Sequence, residues 1–263
     1  MPKRLSTRIW LTKLLGSWAG LIQGDTLTWD RWRWLADRLP ATRNGERLLD
    51  VGCGTGAFTI CAALRGYEAL GLTWDEGDSE VAIARSMIIG AKGATFSICD
   101  VRELEKRIEF RSQFEVAICC ENIEHILDDF RLVRAIYMTL KPGGRLLLTT
   151  PNYLNRPISA YDMGPFQKSE EGWHVRRGYT PTMLREVVTR AGFVVEEISY
   201  CSGFFSQKFT YFLRLFPGRL YYFAWILTAC VRPIIPIADH CFHLVISYPK
   251  YSIGITAYKE RSY

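Results

Sequence analysis

Three glycines within five residues, Gly52-Cys53-Gly54-Thr55-Gly56, constrain this chain more than any other feature. They follow Leu48-Leu49-Asp50-Val51, an apolar run with an acid near its end, and a helical pattern begins at Gly56. Glycine permits positive φ and lets a ligand approach the backbone closely, while a helix start presents unpaired N–H groups. The string predicts a strand, a tight ligand-binding turn and a helix in succession. Gly52, Gly54 and Ala57 also satisfy the G-x-G-x-x-A form of a dinucleotide turn, a match that carries little weight alone.

Around this turn, short β-branched or Leu-rich runs alternate with helical stretches. The runs are Arg47 to Val51, Glu68 to Thr73, Ala94 to Cys99, Phe114 to Cys120, Arg145 to Thr150 and Phe193 to Tyr200. Between them lie the helical patterns Gly56 to Arg65, Asp78 to Ala91, Val101 to Arg107, Asp129 to Leu140 and Thr182 to Ala191. Regular alternation implies right-handed crossovers, and so a doubly wound, mostly parallel α/β sheet covered on both faces. Lys141-Pro142-Gly143-Gly144 stops one helix, Pro181 starts another and Gly192 closes it. Tyr251 to Tyr258 has strand character and is expected at the sheet edge, as a seventh strand. The long polar stretch Asn152 to Gly178 is expected to act as a lid or binding loop.

Charge divides the chain. Residues 1–44 carry eight Lys/Arg against three Asp/Glu and residues 203–263 carry seven against two, so residues 45–202 hold a net −4 of the overall +6. The expected organisation is a basic amphipathic helical extension (1–44), an α/β core (45–202), and an apolar helical cap with a final strand (203–263). In the extension, Ile9, Trp10, Leu14, Trp18 and Leu21 fall near one helix face. Lys13 interrupts the apolar run a signal peptide needs, so a cytoplasmic protein is expected. The densest apolar stretch, Leu220 to Val231, would rise about 18 Å as a helix against a bilayer core of about 30 Å. It is too short to span and suits a buried cap or an interfacial helix. Basic ends suit anionic lipid, nucleic acid or acidic substrates, or simply face water. The eight cysteines form no C-x-x-C pair and read as small buried hydrophobes in a reducing compartment. His240 and His243 beside Asp239 and Cys241 lack a defined third ligand, and no metal is expected.

The residues from 46 to 200 resemble the class I S-adenosylmethionine-dependent methyltransferases of small-molecule type. Asp50-Val51-Gly52-Cys53-Gly54-Thr55-Gly56 matches their first motif. Cys99-Asp100-Val101 then follows the third strand, and Glu121-Asn122-Ile123-Glu124-His125 the fourth. Leu140-Lys141-Pro142-Gly143-Gly144 precedes the fifth strand, which Thr149-Thr150-Pro151-Asn152 ends. The resemblance implies a Rossmann-like methyltransferase fold of seven strands and S-adenosylmethionine as cofactor, to which the patterns outside it add an N-terminal helical extension and an apolar helical insertion before the last strand. It also implies cofactor contacts from Asp50, Gly52, Cys53, Gly54, Gly56, Asp100, Val101 and Cys120. In the family the acid at position 100 bonds the adenine amino group, and Trp74 fits the adenine-packing position. Thr73 stands where the ribose-binding acid is usual; its hydroxyl offers less than a carboxylate, and Asp75 either supplies that acid or caps the next helix.

A sulfonium methyl donor needs the nucleophile held in line and, for some acceptors, a base. His125 is the candidate base, with Glu121 beside it. Glu124, Tyr153, His174 and Arg176 are the candidate acceptor contacts, and His174 with Arg176 and Arg177 suits an anionic group. The acceptor expected is a small molecule, a lipid or a glycan, with a possible anionic membrane surface as partner. Nucleic acid is disfavoured, because the Asn/Asp-Pro-Pro-aromatic motif is absent after the fourth strand. Three alternatives stay open: a nicotinamide-dependent oxidoreductase, a non-catalytic membrane-surface protein on the same fold, and a lipid-modifying relative of the cyclopropane synthases. The last is suggested by Gly71-Leu72-Thr73 and opposed by Ile126-Leu127, where those enzymes usually have Val-Gly.

Overall fold

The computed structural model describes residues 3–22, 26–158, 160–216, 220, 224, 231–232 and 234–261. Its strands are β1 (Arg47–Val51), β2 (Glu68–Thr73), β3 (Ala94–Ile98), β4 (Phe114–Cys120), β5 (Leu140–Pro151), β6 (Val194–Cys201) and β7 (Ser252–Tyr258). They form one sheet in the order β3-β2-β1-β4-β5-β7-β6, parallel except for β7. The expected edge position of Tyr251 to Tyr258 is therefore corrected: β7 lies inside the sheet, between β5 and β6. Every residue from Ser252 to Ala257 is buried, as two bonded neighbours and two covered faces require.

Helices α1 (Lys3–Leu15), α2 (Trp18–Ile22) and α3 (Thr26–Ala36) precede the sheet. Then α4 (Ala57–Ala63), α5 (Glu76–Ile89), α6 (Asp129–Thr139) and α7 (Pro181–Arg190) fill the crossovers. The helices α8 (Phe204–Arg214) and α9 (Ile235–Val245) separate β6 from β7. The period of two along each central strand splits the core. Leu48, Val116, Ile118 and Leu147 pack towards α3 and α4, while Leu49, Ala117, Cys119, Leu146 and Leu148 pack towards α6 and α7. Local chemistry sets the helix ends: Asp128 accepts from Arg131 N at 3.0 Å, and Thr180 from Met183 N at 3.2 Å ahead of Pro181.

The N-terminal extension differs from the expected single face. Gly16, at φ 57°, breaks it into α1 and α2. Leu11, Thr12, Ala19 and Leu21 turn inward, and Trp10, Leu14 and Trp18 outward. Cys61, Cys99, Cys119 and Cys201 are buried as expected, whereas Cys241 is exposed on α9. Most of Leu220 to Val231 lies outside the described residues.

Candidate functional site

The ends of β1, β2 and β4 converge on an open cleft with a cavity volume of about 200 Å³. Its floor is the glycine turn. Gly52, Gly54 and Gly56 all have positive φ, at 84°, 49° and 76°. The turn is hung from β2 by Cys53 N and Gly52 N, which donate to Leu72 O at 2.8 and 3.1 Å. A Cβ on Gly52 would stand 2.7 Å from Asn122 Cγ, so the backbone there touches the opposite wall. A Cβ on Gly54 would meet nothing closer than Asp78 Oδ2 at 3.9 Å. That position opens into the cleft. Buried Arg85 steadies the turn from outside by donating to Thr55 O and Oγ1 at 3.1 and 2.6 Å.

The expected cofactor residues divide into those that face the cleft and those that build it. Gly52, Gly54, Thr73, Trp74, Asp100 and Val101 line it. Trp74 is 64% exposed and is not a core residue. Asp50 is buried beneath the turn; its Oδ2 accepts the Thr59 hydroxyl at 2.7 Å, and burial raises its pKa to about 7. It lies beneath the glycine turn and does not line the cleft. Cys53 and Cys120 line a second recess behind the turn, with Gly20, Phe58 and Arg85. Asp75 is corrected from a cleft residue to a helix cap: it accepts Asp78 N at 2.7 Å and does not line the cleft, whereas Thr73 and Asp78 do. Thr73 Oγ1 in turn accepts from Asp75 N at 3.3 Å. Asp100 is clasped by Arg102, whose Nε lies 2.9 Å from both carboxylate oxygens; that contact and others hold its pKa low.

At the other end of the cleft stand Glu121 and His125. Glu121 has φ 49°, a sparsely populated conformation for a side chain-bearing residue. Its carboxylate accepts Arg31 Nη2 at 3.0 Å and the Ser252 hydroxyl at 3.1 Å. Glu124 is fully buried and accepts the Thr150 hydroxyl at 3.0 Å through Oε2. Its Oε1 has no hydrogen bond and lies 3.9 Å from His125 Nε2 and 4.0 Å from His174 Nε2. Burial, then the charge of Glu121, pushes Glu124 well above the usual carboxylate range. Burial lowers His125, and burial plus the neighbouring imidazole lowers His174 to about 4. Near neutral pH the trio therefore carries neutral imidazoles beside a carboxyl that resists ionisation. Among the described residues these three are also the side chains grouped closely enough to hold a metal ion, their ligand atoms within 4.8 Å of one another. The sequence pattern does not bring them together, because His174 comes from the loop.

That loop covers the site. Val175 N donates to Glu124 O at 3.0 Å, and Arg102 Nη1 donates to Glu170 Oε2 at 3.2 Å. Glu170 also accepts Leu127 N, and Gly172 packs near Trp74. Arg176 is corrected from an acceptor contact: it is occupied by Asp129 and by Ile126 O and Leu127 O. Arg177 donates to Asn155 O at 2.8 Å and lies over the Tyr153 ring, 5.1 Å from its centroid. Both arginines tie the loop down, and Tyr153 does not line the cleft. The local pattern omits Arg31, Asp78, Asn122, Glu170 and Gly172. Asn122 and Asp78 sit inside strings already singled out, but Arg31 and Glu170 carry no local signal.

A family model described as a methyltransferase domain matches residues 28–198. Over 161 residues the chain is 30% identical to the ubiquinone biosynthesis O-methyltransferase of Marinobacter nauticus, covering 59% of this chain and 66% of that protein. The chain spans between about half and two thirds of the length of the curated relatives it matches. Among solved structures, it is similar to an S-adenosylmethionine dependent methyltransferase from Mesorhizobium loti, with a TM-score of 0.57, 20% identity, and 90% and 100% of the two chains covered. It is also similar in fold to Haemonchus contortus phosphoethanolamine N-methyltransferase 2 in complex with S-adenosyl-L-methionine, with a TM-score of 0.56, 20% identity, and 88% and 52% covered.

Proposed function

The chain belongs to the methyltransferase domain family, and on that premise we propose that it is an S-adenosylmethionine-dependent enzyme methylating a small-molecule, lipid or glycan acceptor in the cytoplasm, in peripheral contact with a membrane. The observation that carries the reading is the cleft. It joins a glycine turn open at Gly54 to an exposed indole at Trp74 and to the half-buried imidazole of His125, against which His174 packs edge-on. The donor set suits a sulfonium nucleoside. Asp100 and the backbone near Val101 suit an adenine edge, Thr73 and Asp78 the ribose hydroxyls, and the turn the methionine end. S-adenosylmethionine, when bound, supplies an electrophilic methyl group.

The remaining chemistry belongs to the chain. Glu170 and Gly172 of the loop line the cleft, and Glu124 Oε1 faces both imidazoles. His125 lines the cleft as a neutral imidazole and takes the proton of an acceptor hydroxyl at Nε2. Glu121, held by Arg31 and Ser252, positions the acceptor beside it. O-methylation is the reaction we favour, because the curated relative is an O-methyltransferase.

Titration calorimetry with S-adenosylmethionine and S-adenosylhomocysteine is the direct test: absence of binding at millimolar concentration refutes the reading. His125→Gln is expected to retain cofactor affinity and to lower kcat by about 100- to 10,000-fold, the usual worth of a positioned base. A second reading is favoured by the partnerless Glu124 Oε1: with His125 and His174 it suits a divalent cation on nitrogen and oxygen ligands. Turnover that survives exhaustive chelation rejects that reading and leaves the first.

A further inference from the structure

We propose that α1, α2, α8 and α9 form a docking surface for an anionic lipid bilayer, which presents an amphiphilic acceptor to the cleft. Presentation of the acceptor rests on the methyltransferase reading; docking itself does not.

Topology puts this surface next to the cleft. Cys201 ends β6 and Ser252 begins β7; the two are register partners, and Ser252 also pairs Pro151 at the end of β5. The segment carrying α8 and α9 therefore leaves and rejoins the sheet at the edge where β1 and β4 end. The Ser252 hydroxyl donates to Glu121 there. The segment thus leaves from β6, the outermost strand, and rejoins the sheet beside the site at Ser252.

Its outer face is apolar. On α9 and its flanks, Ile234, Ile237, Leu244, Val245 and Ile246 are exposed, with Leu244 at 74% and Val245 at 83%. The inner side is fixed: Phe242 stacks on Phe204 with centroids 4.7 Å apart, and Asp239 accepts Phe205 N and the Ser206 hydroxyl at 2.6 and 2.7 Å. At the other end of α8, Leu213 packs with Leu11 of α1 and Ala19 of α2. Beside that small core, Trp10, Leu14 and Trp18 point outward, as do Phe212 and Leu215. Thus α8 bridges two sets of exposed apolar side chains. Isolated exposed apolar residues need no explanation, but contiguous ones mark an interaction surface.

Charge selects the occupant. Residues 1–22 contain Lys3, Arg4, Arg8 and Lys13 and no acid. Residues 203–250 contain five Lys/Arg and one acid, Asp239, which is engaged at the start of α8. A second copy would bring like charges together, whereas anionic headgroups neutralise them. Tryptophan at the rim suits the headgroup level. An eleven-residue helix rises about 16 Å, and no helix among the described residues is long and apolar enough to cross a bilayer, so α8 and α9 would lie in the plane of the interface.

The test is co-sedimentation of the full chain with phosphatidylcholine vesicles, with and without about 30% phosphatidylglycerol. Partitioning into the anionic vesicles is expected to exceed that into the neutral ones by at least tenfold and to weaken as salt rises. The double variant Leu244→Glu/Val245→Glu should lose about tenfold or more in partitioning, with S-adenosylmethionine affinity and thermal midpoint unchanged. Trp10→Ser/Leu14→Ser tests the other helix pair independently. Equal partitioning into both vesicle types overturns the proposal, as does unchanged binding in both variants. So does a dimer that the Leu244/Val245 variant dissociates while vesicle binding is absent, which assigns the face to a second copy. A chain that docks on vesicles but fails to bind S-adenosylmethionine would remove the methyl-transfer reading and leave docking intact.

Discussion

Two alanine substitutions, two residues apart in the glycine turn, should separate folding from cofactor binding. At Gly56, φ is 76° and an added Cβ would stand 2.7 Å from Phe96 Cε1 and 2.8 Å from Ala82 Cβ. The left-handed conformation costs a side chain-bearing residue about 1–2 kcal/mol, and forcing a methyl between packed neighbours costs about 1–3 kcal/mol more. Gly56→Ala is therefore expected to lose about 2–5 kcal/mol of stability, a large part of what a domain of this kind possesses. At Gly54 the backbone penalty of about 1 kcal/mol applies, but the nearest protein atom to the new methyl is 3.9 Å away. Its methyl would project into the cleft, where the ligand meets the backbone. Gly54→Ala should fold with a small loss of stability and bind S-adenosylmethionine at least tenfold more weakly. Urea denaturation and titration calorimetry, run on both variants, give the two numbers. Wild-type affinity in Gly54→Ala would refute the backbone cradle, and a loss of less than about 0.5 kcal/mol in Gly56→Ala would refute the packing.

Two further outcomes follow from charges around the cleft. Asp50, raised from 3.8 to about 7 by burial, keeps its proton in the folded chain while the unfolded chain releases it, so stability falls as pH rises from about 4 to about 7 and is flat above. Asp50→Asn keeps an acceptor for Thr59 and removes the titration; its stability advantage over wild type should grow across that window to at most on the order of 4 kcal/mol, and parallel denaturation curves at pH 4 and pH 8 would disprove the assignment. Glu170→Ala frees Arg102 and Leu127 N from the loop. Since that ion pair is partly exposed, a three- to tenfold rise in the dissociation constant for S-adenosylmethionine is expected, without a change in thermal midpoint, and equal affinity in calorimetry would deny the loop a role at the adenine end.

The fold was legible because its signals are local. Alternation of strand and helix patterns, Thr180-Pro181 at a helix start and the glycine turn each act within a few residues, and β1 to β4 and β6 lie within a residue of where those patterns put them. By contrast, β5 starts at Leu140, five residues before the expected Arg145, and takes in the Lys141-Pro142-Gly143-Gly144 turn. The position of β7 was not legible: Tyr251 to Tyr258 has the same composition whether it pairs on one side or two. At the site, Gly54, Trp74 and Asp100 could be read from their strings, since each sits just beyond a strand end. Arg176 could not be read correctly, because its partner Asp129 is far along the chain and its cationic motif looks the same paired or unpaired. Arg31 was missed for the same reason, reaching Glu121 from α3. Asp75 shows the limit of a spacing argument. The same acid suits a ribose or a helix start, and the 2.7 Å contact with Asp78 N decides for the cap.

The place of β7 bears on how this molecule is made. β6 has β7 as its partner in the sheet, and β5 is open on one side until β7 arrives. During synthesis on the ribosome the glycine turn and its first four strands can assemble early, but β6 must wait, unpaired and with its edge unprotected, for a strand translated some fifty residues later. Ser252, which holds Glu121, arrives with that strand. The nascent chain would thus carry a formed glycine turn before Glu121 is braced, and chaperone demand should peak while α8 and α9 are being translated.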